Sequence, residues 1–534
     1  MLRLNATLVV MMLISTHVFA AVKTAGIFGD NMVLQRDQEI PVWGWAEPGE
    51  LIKVEFAGQQ AEAVTGNDGA WMVKLKPLPV SAKPLIMTIR GKKDVLKIND
   101  ILVGEVWLCS GQSNMGIGMA YCVNAAEEIK KADYPEIRFL QIPLVSSFAR
   151  RPDMDRELAG GWKICAPMTL CSPKITGGFS AVGYFFGREI YRELNVPVGL
   201  IAASWGGTPV VAWTSPQTVE NEFKNIADDY TVYREKREKE LGFMPGDSEK
   251  VQDWSRTAKE FDTIEKIPER LNNAQGVYRR IPCGLFNGMI APLIPFAIRG
   301  VIWYQGEDDV GSAWDYRKRF RAMIRDWRRH WGEGDFPFYF VQLANWDSSW
   351  TLTYAELRES QQAVLDEPGV GMAVAIDIGD PKNVHPKNKQ EVGRRLALNA
   401  LAKTYGRKLE YSGPLYRSMK IEGDKVRITF DYVHGGLMIK NGELTGFTIA
   451  GENPEMVEIV LNKDYKDGAR KKIRKFYPAK AEIDGNTVLV WSKEIARPTA
   501  VRYGWANAPE CNLYNKAGLP AAPFRTDDWP GITH

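Results

Sequence analysis

The chain has 534 residues, of which 45% are hydrophobic and 25% charged, with a formal net charge of +3. That length exceeds what one hydrophobic core serves and implies about two to four domains. The composition is that of an ordinary globular protein, and the small net charge gives no electrostatic footprint for nucleic acid or another polyanion.

Residues 1–20 read as an export segment. Arg3 gives a basic start, Leu8 to Ile14 is a short apolar run, and Val18-Phe19-Ala20 ends it on a small residue. The run is too short to span a bilayer, and no later stretch approaches spanning length. The expectation is an exported chain, periplasmic or extracellular, without a membrane span.

Residues 21–100 carry short alternating runs such as Lys53-Val54-Glu55-Phe56 and Trp71-Met72-Val73-Lys74-Leu75. Turn signals at Glu47-Pro48-Gly49-Glu50 and Asn67-Asp68-Gly69 separate them. This is the pattern of a small β domain, and a sandwich of about seven strands fits the length.

From 101 to 409 the character changes. Five apolar runs fit buried parallel strands: Ile101 to Leu108, Val198 to Ala203, Gly300 to Tyr304, Pro337 to Leu343 and Val370 to Ile376. Helical patterns accompany them at Ala181 to Leu194, Tyr316 to His330, Tyr354 to Leu365 and Lys389 to Tyr405. Strands alternating with helices predict an α/β domain, a parallel sheet with helices on both faces. A charged, helical stretch at about 216–275 interrupts the alternation and reads as an insertion. From 410 to 534 β character returns, with Val426 to Phe430 and Thr487 to Trp491 as strands and Asn441-Gly442 and Asp484-Gly485 as turns.

The six cysteines form no CxxC or Cys/His cluster, which argues against structural zinc. In an exported chain Cys165 and Cys171 are the nearest pair, but buried free thiols serve a chain of this size equally well. The 17 tryptophans fit aromatic cores, sugar-stacking surfaces, or both.

In an open parallel sheet, ligands bind at the carboxyl ends of the strands. Four of these ends carry polar or glycine-rich segments: Cys109-Ser110-Gly111-Gln112-Ser113-Asn114, Ser204-Trp205-Gly206-Gly207-Thr208, Gln305-Gly306-Glu307-Asp308-Asp309, and Asp377 to His385. Ser113 sits where a strand turns into a helix, so its hydroxyl is available for attack and its N–H for a developing oxyanion. The plain alternative is a capping serine. Met115 closes no GxSxG elbow, which disfavours an ordinary α/β-hydrolase.

A nucleophilic serine needs a base, usually histidine. His17 lies in the export segment, His330 ends an Arg-rich helix, His434 falls in the C-terminal β region, and His534 is the last residue. His385 alone follows a core strand.

The segments WLCSGQSNM, SWGGTPVVAW, GMIAPLIPFAIRGVIWYQGE and DIGDPKNVHPKNKQEVGRRLA closely resemble the sialate O-acetylesterases, which are SGNH-type esterases. The resemblance covers most of the chain. It implies a flavodoxin-like three-layer catalytic domain with flanking β-sandwich-like regions, and cofactor-free hydrolysis of O-acetyl esters on sugars. It further implies Ser113 as nucleophile, His385 as base, and an oxyanion hole from the Ser113 N–H, a Gly206 or Gly207 N–H and the Gln305 amide. Glu307 is expected to support the loop, since a carboxylate facing the oxyanion would oppose its charge.

One position departs from the wider SGNH pattern, which places Asp three residues before the histidine. Here Lys382 stands there, followed by Asn383, while Asp380 and Asp377 lie further back. Asp380 is the favoured third member, with a Ser–His dyad as the alternative. Three functional readings remain: a sialate O-acetylesterase, an esterase of acetylated xylan or another plant glycan, and a non-catalytic glycan-binding protein. A metallohydrolase is disfavoured, because the few histidines are scattered.

Overall fold

The structure is a computed structural model that describes residues 21–171, 178–228, 231–232, 235, 279–347, 352–460 and 470–534. The expected export segment lies outside the described residues, as does most of the expected insertion, of which the helix Pro216–Glu222 is described. No helix among the described residues is long and apolar enough to cross a membrane.

Six strands build the central layer: β1 (Val95–Gly111), β2 (Tyr134–Gln141), β3 (Val198–Ser204), β4 (Gly300–Tyr304), β5 (Phe338–Gln342) and β6 (Val370–Val374). Their order across the sheet is β2-β3-β1-β4-β5-β6, and all five contacts are parallel. β3 to β6 are buried at every position, which is why they read as unbroken apolar runs. β2 went unread because Glu136 and Arg138 break its run, although Arg138 is buried against Asp100 at 2.8 Å.

Helices cover the sheet: α1 (Ala181–Leu194), α2 (Ala313–Trp331), α3 (Tyr354–Gln362) and α4 (Lys389–Asn399). Gly300 of β4 stands beside Trp107 of β1, and Trp303 lies three residues further on. Side chains alternate along a strand, so these two indoles point to opposite faces. Trp107 meets Phe186 of α1, with ring centroids 5.0 Å apart. Trp303 meets Phe320 and Trp327 of α2, at 6.2 and 5.8 Å. One helix layer therefore packs on each face. The most deeply buried tryptophans fill the core behind the strand ends.

The N-terminal strands are not packed apart from this core. β1 begins before the expected boundary at residue 100. Its first half pairs with Ser81–Arg90 and its middle with Val33–Gln35, and one hydrophobic cluster runs from Val22 to Leu401 and takes in Ala522. Glu105, fully buried in β1, ties the regions together. Arg36 and Arg299 reach it at 2.5 and 2.7 Å, and Tyr405 donates to it at 3.0 Å. The C-terminal region has its own core of Val426, Ile428, Val488, Val490 and Val501. The buried Arg358 of α3 holds it in place by donating to Leu343 O and Ala344 O on one side and Ala506 O and Asn507 O on the other. All six thiols are free.

Candidate active site

The chain leaves β1 for β2 and then β3 on one side and later crosses to β4 on the other, so the strand order reverses around β1. Open α/β sheets bind ligands at such a reversal. The turn after β1 depends on Gly111. Its φ is +133°, and a Cβ there would lie 2.2 Å from Tyr304 O, so only glycine fits. Gln112 N then donates to Tyr304 O at 2.9 Å, and one helical turn, Ser113–Gly116, follows.

Ser113 and His385, 272 residues apart in sequence, meet at this end of the sheet. Ser113 Oγ and His385 Nε2 are 2.8 Å apart. Both residues are half-buried, so the hydroxyl is reachable and its partner is partly dry. Burial, and secondarily the charge of Lys389, hold the His385 pKa below its ordinary value. The imidazole is therefore neutral near pH 7 and free to accept a proton at Nε2.

Gly206, after β3, packs directly on the serine. A Cβ on Gly206 would stand 3.0 Å from Ser113 Cβ. The N–H groups of Ser113, Gly206 and Gly207 donate to no acceptor among the described residues, the state required of donors awaiting an oxyanion.

Two expected site residues are directed elsewhere. Gln305 is fully buried, and its amide nitrogen already donates to Thr208 O at 3.0 Å and Asp309 Oδ2 at 2.6 Å, while Tyr316 OH donates to its oxygen at 2.9 Å. An amide has two N–H donors, so none is left for an oxyanion. Gln305 instead fixes the loop after β4. Burial raises the Asp309 pKa to about 6.

Asp380 is exposed, and its Oδ1 accepts from Lys382 N at 2.9 Å. Asn383 N donates to Asp380 O at 3.0 Å. Asp-Pro-Lys-Asn thus closes a local turn, a side-chain-to-backbone pairing that competes with any reach toward His385. Asp377 is held by Arg395 at 2.6 and 2.8 Å and by Tyr514 OH at 3.0 Å. No carboxylate among the described residues bonds the His385 ring, so the arrangement is a Ser–His pair.

Asn114, Glu307 and Lys389 complete the floor of the site. Burial raises the Glu307 pKa and lowers that of Lys389 to about 8. Sequence reading passed over Asn114 and Lys389. A lysine at the first position of a helix opposes the helix dipole, and that anomaly was the available signal. The other histidines lie elsewhere: His330 Nδ1 pairs with Asp326 O at 2.9 Å, and His434 pairs with Glu410. Among the described residues no group of three or more His, Cys, Asp or Glu is arranged to hold a metal ion.

A family model described as carbohydrate esterase, sialic acid-specific acetylesterase, matches residues 248–402. The sialate O-acetylesterase of Mus musculus is 30% identical over 94% of this chain and 93% of its own length. That of Homo sapiens is 28% identical over 95% and 93%. Among solved structures, a carbohydrate acetylesterase from Xanthomonas citri superposes with a TM-score of 0.76 at 33% identity, covering 95% of this chain and 100% of that one.

Proposed function

The chain belongs to the sialate O-acetylesterase family of carbohydrate esterases, and from that membership we propose that it releases acetate from O-acetylated sugars through Ser113 and His385, with acetylated sialic acid as the substrate. The observation that carries this reading is the 2.8 Å contact between Ser113 Oγ and His385 Nε2.

Ser113 Oγ attacks the acetyl carbonyl carbon while its proton passes to His385 Nε2. The carbonyl oxygen becomes an oxyanion facing the Ser113 N–H and that of Gly206 or Gly207. Each such donor is typically worth about 2.7–4 kcal/mol in the transition state. Collapse breaks the bond to the sugar oxygen, which takes the proton from His385 and leaves as the free hydroxyl. Water then attacks the acetyl-serine, one proton goes to His385 and on to Ser113 as the acyl bond breaks, and the acetic acid released gives its proton to solvent as acetate. Asp380 and Gln305 have no direct part in these steps.

The strand order, with the serine at the end of the central strand, also supports an SGNH-type reading of the catalytic layer. A panel of acetylated sialic acids, acetylated xylo-oligosaccharides and p-nitrophenyl acetate tests the proposal. Preference for acetylated plant sugars would replace the substrate, and absence of turnover on every ester would favour a glycan-binding protein instead.

A further inference from the structure

A Ser–His pair without an acid leaves open what holds the imidazole on the serine. The loop carrying His385 is exposed at Pro381, Lys382 and Asn383. Within the loop, Lys382 N and Asn383 N bond Asp380 and His385 N bonds Asn383 Oδ1 at 2.9 Å, and from outside Asp347 N donates to Pro381 O at 2.9 Å. None of these bonds fixes Val384, so the 2.8 Å contact made by His385 calls for a further tie there.

Asn114 supplies one. It follows the nucleophile, is 1% exposed, and donates from Nδ2 to Val384 O, the carbonyl preceding His385, at 2.9 Å. One side chain therefore joins the residue after the nucleophile to the residue before the base. The other Nδ2 hydrogen goes to Glu307 Oε1 at 2.5 Å, and Asn114 Oδ1 accepts from the buried Lys389 Nζ. These partners also fix the amide's orientation. Turned over, it would place its NH2 against an ammonium and its oxygen against a carboxylate and a carbonyl, which are forbidden pairings. Lys389 is in turn seated over the Tyr304 ring, 5.2 Å from its centroid, so the clamp rests on β4 and α4 rather than on the loop.

We propose that Asn114, oriented by Glu307 and Lys389, is the positioning residue that holds His385 on Ser113 in place of a triad acid. This inference rests on the esterase reading above. Its effect acts through His385, so loss of the clamp lowers kcat while leaving KM nearly alone. A displacement of about 1 Å in a reacting group can cost about 10²-fold in rate.

The test uses the full chain with p-nitrophenyl acetate and acetylated sialic acid, and compares Asn114→Ala, Glu307→Ala and Glu307→Gln with Ser113→Ala and His385→Ala. The expected result is a kcat about 10²-fold lower in Asn114→Ala, with KM within about threefold. Glu307→Gln keeps an oxygen for Asn114 and should be at least about tenfold more active than Glu307→Ala, a rescue that tracks the hydrogen bond. Should Asn114→Ala fail to fold, the Glu307 pair gives the same reading. A kcat in Asn114→Ala within about threefold of the parent, or equal losses in the two Glu307 variants, overturns the clamp. Activity surviving in Ser113→Ala or His385→Ala overturns the Ser113–His385 assignment on which the inference rests, so the two failures are distinct.

Discussion

Replacing Gly206 by alanine tests the geometry around the nucleophile directly. The Gly206 backbone lies outside the left-handed region, so alanine adds a methyl group without backbone strain. That methyl would sit 3.0 Å from Ser113 Cβ, 3.5 Å from its Cα and 3.7 Å from its N. Carbon atoms prefer about 3.5–4.0 Å, so Ser113 or the glycine loop must give by a few tenths of an ångström. A shift of about 1 Å can cost about 10²-fold, so one of a few tenths predicts a kcat loss of about 3- to 10-fold, or about 0.7–1.4 kcal/mol of transition-state energy. Steady-state kinetics on p-nitrophenyl acetate and an acetylated sialic acid measure the loss, and a thermal melt checks that the fold is intact. Full kcat with an unchanged melting temperature would refute the claim that this glycine shapes the nucleophile's surroundings.

Ser113→Ala and His385→Ala should each lower kcat by several orders of magnitude, and a titration of acetate release checks both. His330→Ala should leave kcat unchanged, because that ring pairs with Asp326 O and not with the serine. In the proposed mechanism only neutral His385 accepts the serine proton, so kcat/KM should fall as pH drops through its pKa, which burial and Lys389 hold below the ordinary value of 6.5. Lys389→Met removes the charge contribution, so the acidic limb of the pH–rate profile should move to higher pH; an unmoved limb would show that the lysine charge does not reach the base. Glu105→Ala strands Arg36 and Arg299 in a buried cluster and should lower stability by about 3–5 kcal/mol, read by chemical denaturation.

Much of the catalytic layer was legible because burial on both faces leaves an unmistakable pattern. Gly300–Tyr304 and Ala181–Leu194 form as read. Tyr134–Gln141 escaped because its buried charge, Arg138, is neutralised by Asp100 from a distant segment, a pairing that no local pattern announces. The serine was legible from its place after a strand, and the histidine from the poor alternatives. Asp380 bonds within its own turn, which its spacing of five residues from the histidine does not announce. Gln305 gives both amide hydrogens to Thr208 and Asp309, and residue type does not say which acceptors a glutamine has found.

The sequence alone determined where buried strands end and which side chains stand there, because burial periodicity and turn chemistry are local. It therefore singled out Ser113 and His385, whose side chains the fold brings to 2.8 Å, as the candidate pair. Only the tertiary structure decided how each polar side chain at those ends is satisfied, because hydrogen-bond partners come from segments hundreds of residues apart. That satisfaction sends Gln305 to Asp309, closes Asp380 into its own turn, and brings Asn114, Glu307 and Lys389 together beneath the histidine loop.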